Sequence, residues 1–173
     1  DIIYIGCAYN KLFNLPELPN SLEYLYCNDN NLSSLPELPK SLKILHCSNN
    51  NLSNLPELPK SLTELWCNNN NLSGLPDLPN SLKLLYCSKN KLQFLPKLPN
   101  SLKLLYCYNN NLSNLPELPN SLLYLYCYNN ILSSLPENSD LLRSIIYSDN
   151  PIYAHIKTYF NGNEKNILNM KKI

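Results

Sequence analysis

The stretch SLTELWCNNNNLSGLPDLPN, residues 61–80, recurs with few changes every twenty residues along this chain. In each copy a cysteine, an asparagine and a Leu-Pro pair keep their places. The cysteines are Cys7, Cys27, Cys47, Cys67, Cys87, Cys107 and Cys127; the asparagines run from Asn10 to Asn150, and the pairs from Leu15-Pro16 to Leu135-Pro136. A period in the range of about 20 to 50 residues indicates stacked units. Residues 1–150 are therefore predicted to form a solenoid of about eight coils, with the first and last divergent.

Each copy contains one short segment in which inward and outward side chains alternate. In the second copy this segment is Tyr24 to Cys27, Tyr-Leu-Tyr-Cys. A period of two is typical of a half-buried strand. Because the copies stack, the strands are predicted to be parallel and to line the concave face. They are predicted to begin near Tyr4, Tyr24, Ile44, Glu64, Leu84, Leu104, Tyr124 and Ser144.

The rest of each copy favours an extended chain rather than a helix. Pro36 and Pro39 lie three residues apart, and equivalent prolines recur in the other copies. Proline lacks a backbone donor and fixes φ, so an extended or polyproline-like convex side is predicted. The leucines of the copy, together with its cysteine, are predicted to point inward and to form one continuous core across the stacked coils.

The repeated asparagine and cysteine have structural interpretations. An inward amide can bind the backbone where the chain leaves the strand and bridge to the next coil. A buried thiol behaves as a small apolar residue. Cysteines in register would lie slightly beyond the separation that a disulfide prefers, and an odd number of cysteines cannot all pair, so disulfides are not favoured. Pairs of Cys or His at zinc-ligand spacing are absent from the sequence, so no metal site is predicted. No pair of carboxylates is placed beside a histidine or nucleophile, so no catalytic residue and no cofactor is predicted.

The repeat resembles a known family. Leu62, Leu65, Cys67, Asn70 and Leu72 match the pattern L-x-x-L-x-L-x-x-N-x-L of leucine-rich repeats, with cysteine in place of the third leucine. The tail Leu-Pro-Glu-Leu-Pro-x-Ser-Leu, at 35–42 and 115–122, resembles the shortest class of these repeats. That class is familiar from bacterial effectors of the YopM and IpaH type, and similar copies are expected in repeat proteins of large DNA viruses of amoebae.

The resemblance covers residues 1 to about 150 and implies a leucine-rich-repeat solenoid. The IpaH type also has a separate catalytic ubiquitin-ligase domain with its own cysteine nucleophile, whereas only residues 151–173 follow the repeats here. No catalytic residue is therefore transferred. Ile152, Ile156, Tyr159 and Phe160 follow Pro151 at helical spacing, so residues 151–173 are predicted to form a C-terminal helical cap over the last coil.

Composition limits the class of partner. The 173 residues have a net charge of +1, and the lysines are interspersed with acids, which argues against nucleic acid. No apolar run is long enough for a membrane span, and no secretion signal precedes the repeats. Because the chain opens at Asp1 without methionine, an upstream signal or cap is not excluded. Unpaired cysteines favour a reducing intracellular location, in a host or in the organism's own cytoplasm, with a virion as an alternative.

Two rows of outward residues stand out. An acidic row on the convex edge, interrupted by Lys97, is interpreted as a solvated surface. The outward strand positions hold an aromatic strip, named here by its candidate partner-binding residues: Tyr24, Tyr26, His46, Trp66, Tyr86, Tyr106, Tyr108, Tyr124, Tyr126 and Tyr128. Tyrosine and tryptophan are favoured anchors at interfaces, and exposed apolar patches usually have partners. Aromatic cross-strand pairs also stabilise sheets, so a purely structural strip is the alternative.

These observations predict a non-catalytic module that binds a protein partner through the aromatic strip. One alternative is a structural or assembly subunit, such as a virion or surface component, in which the repeats pack against neighbouring copies. A less favoured alternative is the recognition arm of a larger enzyme such as a ubiquitin ligase. The sequence does not identify the partner.

Overall fold

The computed structural model describes residues 1–136, 139 and 141–152 of the chain. In this part eight strands of three residues form one sheet in sequence order. They are β1 (Tyr4–Gly6), β2 (Tyr24–Tyr26), β3 (Ile44–His46), β4 (Glu64–Trp66), β5 (Leu84–Tyr86), β6 (Leu104–Tyr106), β7 (Tyr124–Tyr126) and β8 (Ser144–Ile146).

All strand pairs are parallel, and each residue pairs with the one twenty positions later. Leu25 pairs with Leu45, for example, and Trp66 pairs with Tyr86. The predicted solenoid, its parallel strands and their first residues are therefore confirmed. Equivalent side chains of neighbouring coils consequently lie side by side at a strand spacing of about 4.8 Å.

The core consists of the predicted leucines and cysteines. In the coil of β2, Leu22, Leu25, Cys27 and Leu32 have no exposed surface, and Leu38 is 6% exposed. Leu35, also predicted to point inward, is only partly buried but packs against the core. The central residue of each strand from β2 to β7 is buried between two outward neighbours. The apolar stripe of one coil is thus covered by the coils on either side, as stacking requires.

The convex side contains no helix in residues 1–136, as the prolines predict. Each second proline opens a turn into the next strand, where Leu42 N–H donates to the Pro39 carbonyl at 3.0 Å. The serine of the repeat fixes this turn to the preceding coil, since Ser41 Oγ donates to the Leu22 carbonyl at 2.6 Å. The serine hydroxyl thereby supplies the Leu22 carbonyl with a hydrogen-bond donor, which proline cannot supply because it has no N–H.

The asparagine ladder has the predicted structural role. Asn110 Nδ2 donates to the carbonyls of Cys87 and Cys107 at 3.1 and 3.0 Å, while its Oδ1 accepts from Leu92 N–H at 3.0 Å. One side chain therefore satisfies three backbone groups in two coils. No buried side-chain nitrogen or oxygen among the described residues lacks a hydrogen-bond partner.

The last coil departs from the repeat. Tyr147 occupies the cysteine position, is partly buried and packs against the core. Pro151 and Ile152 are helical, but the rest of the predicted cap, residues 153–173, lies outside the described residues. In the described part of the chain, no helix has the length and apolar character needed to cross a membrane.

Candidate functional site

The aromatic strip runs along the outer face of the sheet, nearly perpendicular to the strands. Its main column occupies the third position of successive strands, from Tyr26 in β2 to Tyr126 in β7. Because the strands are in register, these side chains are cross-strand neighbours. They are half-buried although no described residue outside the sheet packs on them, since each ring shields the next.

The rings from Trp66 onward form a face-to-face stack. Trp66 and Tyr86 have ring centroids 3.7 Å apart with 10° between the planes. Tyr86 and Tyr106 follow at 4.6 Å and 13°, and Tyr106 and Tyr126 at 4.4 Å and 8°. These separations match the spacing of parallel strands, so the ring faces lie against one another along the sheet and the ring edges point outward.

A second, shorter column widens the strip at its C-terminal half. Tyr108 and Tyr128, two residues beyond the main column, stack at 4.4 Å with 7° between their planes. Tyr108 also meets Tyr106 edge to face at 6.2 Å and 71°. Tyr106, Tyr108, Tyr126 and Tyr128 therefore form one block, which we call the tyrosine block.

The N-terminal half of the strip is less regular. His46 lies 5.9 Å from Tyr26 and 5.3 Å from Trp66, with interplanar angles of 72° and 45°. Tyr4 extends the column by one ring, tilted against Tyr26 at 5.4 Å. A Cβ on Gly6 would lie only 3.0 Å from the Tyr4 hydroxyl oxygen, so the Tyr4 ring occupies the place of the side chain that Gly6 lacks.

The structure thus joins eight of the ten predicted residues, from Tyr26 to Tyr128, in one network of ring contacts. Tyr24 and Tyr124 lie on the same face at the first strand position, but neither has a ring contact with another aromatic residue of the described chain. The sequence interpretation missed Tyr4. The glycine at the ring position of β1 was the available signal for it.

Burial favours the uncharged form of several rings in the strip. Burial raises the pKa of Tyr86, Tyr106 and Tyr128 above the ordinary tyrosine value. Burial also lowers the pKa of His46, against a smaller opposing effect of Asp29. Trp66 Nε1 donates to Glu64 Oε2 at 3.2 Å, which fixes the indole in the column. The surface is therefore apolar along its ring edges and polar at its hydroxyl tips.

Six of the seven cysteines are too deeply buried to act as nucleophiles. Cys27 to Cys127 have no exposed surface, and all seven cysteines are free thiols. Burial raises the pKa of Cys27, Cys87 and Cys127 to about 12, so very little thiolate exists near neutral pH. Within the described residues, no cluster of His, Cys, Asp or Glu side chains is arranged to hold a metal ion.

Solved structures with the same fold are similar to this chain. YopM from Yersinia enterocolitica superposes with a TM-score of 0.81 at 43% identity, over 86% of this chain and 34% of that one. A Shigella effector leucine-rich-repeat domain superposes with a TM-score of 0.81 at 34% identity, over 93% of this chain and 77% of that one. The functional domain of InlJ from Listeria monocytogenes, described as including a cysteine ladder, gives a TM-score of 0.58 at 25% identity over 85% of this chain and 44% of that one.

The chain spans about a third of the YopM chain that it matches. No protein-family model matches the sequence, and no curated protein matches it. The resemblance to bacterial effector repeats is thus supported by these structures, whereas none of these neighbours comes from a virus of amoebae.

Proposed function

Because this chain belongs to the family of short leucine-rich repeats, we propose that it is a protein-interaction module that binds a protein partner through the aromatic strip. The observation that supports this proposal is the stacked column from Trp66 to Tyr126, whose ring edges and hydroxyls face the open concave side. The rings are held by their neighbours before any partner arrives. A partner therefore meets broad apolar area at little cost in side-chain entropy.

We further propose that the module itself performs no catalysis. The thiols of Cys27 to Cys127 are buried, and burial raises the pKa of Cys27 to about 12, so the surface offers contact area rather than a reactive group. One of the similar structures, the Shigella domain, is described as part of an effector, which is consistent with a binding role. A reducing compartment suits the unpaired cysteines.

The test combines partner capture with truncation of the strip. Proteins captured from a cell lysate by the native chain would be identified, expressed and titrated against a Trp66→Ala, Tyr86→Ala variant. We expect partner binding to weaken by about 2 kcal/mol or more, roughly 30-fold, as hot-spot truncations commonly do. A Phe94→Ala, Ile131→Ala variant is the control, because both side chains are exposed and lie outside the strands.

The comparison must be made per folded molecule. Equal affinity for the native chain and the strip variant would overturn the proposal and make the strip a purely structural stack. Assembly of the purified chain into large homomeric particles, with loss of assembly in the strip variant, would instead favour a structural subunit.

A further inference from the structure

A row of basic side chains borders the aromatic strip where the chain enters β5, β6 and β8. Lys83, Lys103 and Arg143 each immediately precede one of these strands. Backbone hydrogen bonds keep them in register: Lys103 N–H donates to the Lys83 carbonyl at 2.9 Å, and Arg143 N–H donates to the Leu123 carbonyl at 2.8 Å. All three are exposed. We call this row the basic edge.

The two halves of the concave face differ in charge. Residues 23–29, 43–49 and 63–69 contain three carboxylates, Glu23, Asp29 and Glu64, and one cation, Lys43, for a net charge of −2. Residues 83–89, 103–109, 123–129 and 143–149 contain four cations, which are the basic edge and Lys89, and one carboxylate, Asp149, for a net charge of +3. The net charge of +1 for the whole chain conceals this separation.

Among the described residues, the basic edge has no ion-pair partner. The one ion pair among the described residues joins Lys43 Nζ to Glu23 Oε2 at 2.8 Å, in the acidic half. The lone carboxylate of the basic half, Asp149, follows β8 at the opposite side of the strip. Three cations without an ion-pair partner among the described residues therefore lie at the starts of β5, β6 and β8, in and next to the coils that hold the tyrosine block.

We propose that the partner bound by the strip presents an acidic segment, and that this segment lies on the tyrosine block with its carboxylates on the basic edge. This inference rests on the proposed function, since it names the chemistry of the partner at the same surface. Ammonium and guanidinium groups make charge-assisted hydrogen bonds to carboxylates. The ring edges beside them accommodate apolar side chains of the same segment, and complementary charge fixes its direction along the solenoid.

A single-stranded nucleic acid fits this surface less well. Bases bind aromatic residues by stacking on ring faces. Here both faces of Tyr106 are covered, by Tyr86 and Tyr126, and Tyr108 and Tyr128 each cover one face of the other. Few ring faces are therefore available to bases, and the negatively charged half with Glu23, Asp29 and Glu64 lies at the other end of the same face.

The experiment is a selection of short random peptides displayed on phage. The native chain and a Lys83→Glu, Lys103→Glu, Arg143→Glu variant would be the two targets, and the net charge of the enriched peptides would be compared. We expect acidic peptides with apolar residues on the native chain and no acidic preference on the variant. A labelled acidic peptide from the selection should bind the variant at least about tenfold more weakly at low salt.

The control changes the same charge elsewhere. Lys40→Glu, Lys60→Glu, Lys97→Glu alters three exposed lysines of the convex side and should retain the acidic preference. Enriched peptides of equal net charge on the native chain and the basic-edge variant would overturn the inference. Tighter binding of labelled oligothymidine than of the acidic peptide would overturn it in favour of nucleic acid.

A Tyr106→Ala, Tyr126→Ala variant separates the two proposals. If the selected peptides bind the tyrosine variant more weakly but bind the basic-edge variant as tightly as the native chain, the inference is wrong and the proposed function stands. Peptides that need the basic edge but bind the tyrosine variant as well as the native chain would refute the proposed use of the strip. In that case the inference, which places the segment on the tyrosine block, fails with it.

Discussion

The indole ring of Trp66 lies flat against the phenol ring of Tyr86, with centroids 3.7 Å apart and 10° between the planes. The two residues are direct cross-strand partners in β4 and β5. The same contact therefore joins two coils and forms the start of the stacked column. Stability and partner binding are consequently linked at this pair, and experiments must separate them.

A double-mutant cycle on Trp66→Ala and Tyr86→Ala should reveal this contact directly. We expect a coupling of about 0.5 to 1.5 kcal/mol in the free energy of unfolding, which is typical of stacked aromatic pairs. Urea unfolding of the native chain, both single variants and the double variant gives the coupling. A cycle on Trp66 and Phe94, which share no ring contact, is the control and should be additive. Additivity at Trp66 and Tyr86 as well would show that the stack contributes nothing beyond the separate side chains.

Thiol labelling under native conditions should distinguish one cysteine from the other six. Cys7 is partly exposed, whereas Cys27 to Cys127 are buried. Labelling near neutral pH should therefore modify at most Cys7 rapidly, and denaturant should expose all seven. In a Cys7→Ser variant the fast phase should disappear. Rapid modification of several cysteines in the native chain would contradict the burial of the ladder.

Loss of one ladder asparagine should destabilise the solenoid strongly. Asn110→Ala removes the acceptor of Leu92 N–H in the interior. It also removes one of the two amide donors to each of the Cys87 and Cys107 carbonyls, which still accept from Asn90 and Asn130. Because an orphaned buried N–H costs about 1 to 3 kcal/mol, a loss of about 1 to 3 kcal/mol is expected in urea unfolding.

Asn10→Ala is the matched control for this loss. Asn10 is exposed, and its two hydrogen bonds go to the carbonyls of Cys7 and Ala8 in its own coil. Its replacement should cost far less. Similar losses at both positions would mean that the inter-coil hydrogen bonds of Asn110 are not the source of its effect.

The repeat period predicts most of the fold. Strand starts, parallel pairing and the inward leucines all follow from a copied unit that must bury the same side chains in every coil. The aromatic strip could be located because alternate strand positions face outward. The stacking of its rings could not be predicted, since Ile44 and Glu64 show that outward strand positions also hold side chains that are not aromatic. The placement of Tyr4 over Gly6 depends on an absent side chain and on a rotamer, and neither follows from periodicity.

The backbone conformation after each strand was also missed. One residue in every coil has a positive φ, between 52° and 57°: Tyr9, Asp29, Asn49, Asn69, Lys89, Asn109, Asn129 and Asp149. Asparagine and aspartate tolerate this left-handed conformation better than other residues with a side chain. Their recurrence before the ladder asparagine was the available signal. Tyr9 and Lys89 are the positions where the sequence opposes the required conformation.

Replacing Lys89 by asparagine should therefore stabilise the protein. Lys89 has a φ of 55°. The several-fold enrichment of asparagine in this region corresponds to about 0.6 to 1 kcal/mol, so Lys89→Asn should raise the free energy of unfolding by that amount. The reciprocal change Asn109→Lys should lower it, also because Asn129 Nδ2 then loses its bond to Asn109 Oδ1. Thermal unfolding would measure both, and a destabilised Lys89→Asn variant would contradict the strain argument.

His46 should make stability depend on pH. Burial lowers its pKa below the ordinary value of 6.5, so the unfolded chain takes up the proton at a higher pH than the folded chain does. The stability from neutral His46 is therefore complete above pH 6.5 and is lost as pH falls below it, by at most about 1.4 kcal/mol per pH unit. His46→Tyr removes the titration and keeps a ring between Tyr26 and Trp66. Urea unfolding from about pH 7.5 to about pH 5 would measure the free energy of unfolding of this variant and of the native chain. The difference between the two should shift in favour of the variant as pH falls. Adding His155→Gln to both proteins excludes a contribution of the other histidine to the pH dependence. A difference that stays constant over this range would show that His46 has the same pKa in the folded and unfolded chains.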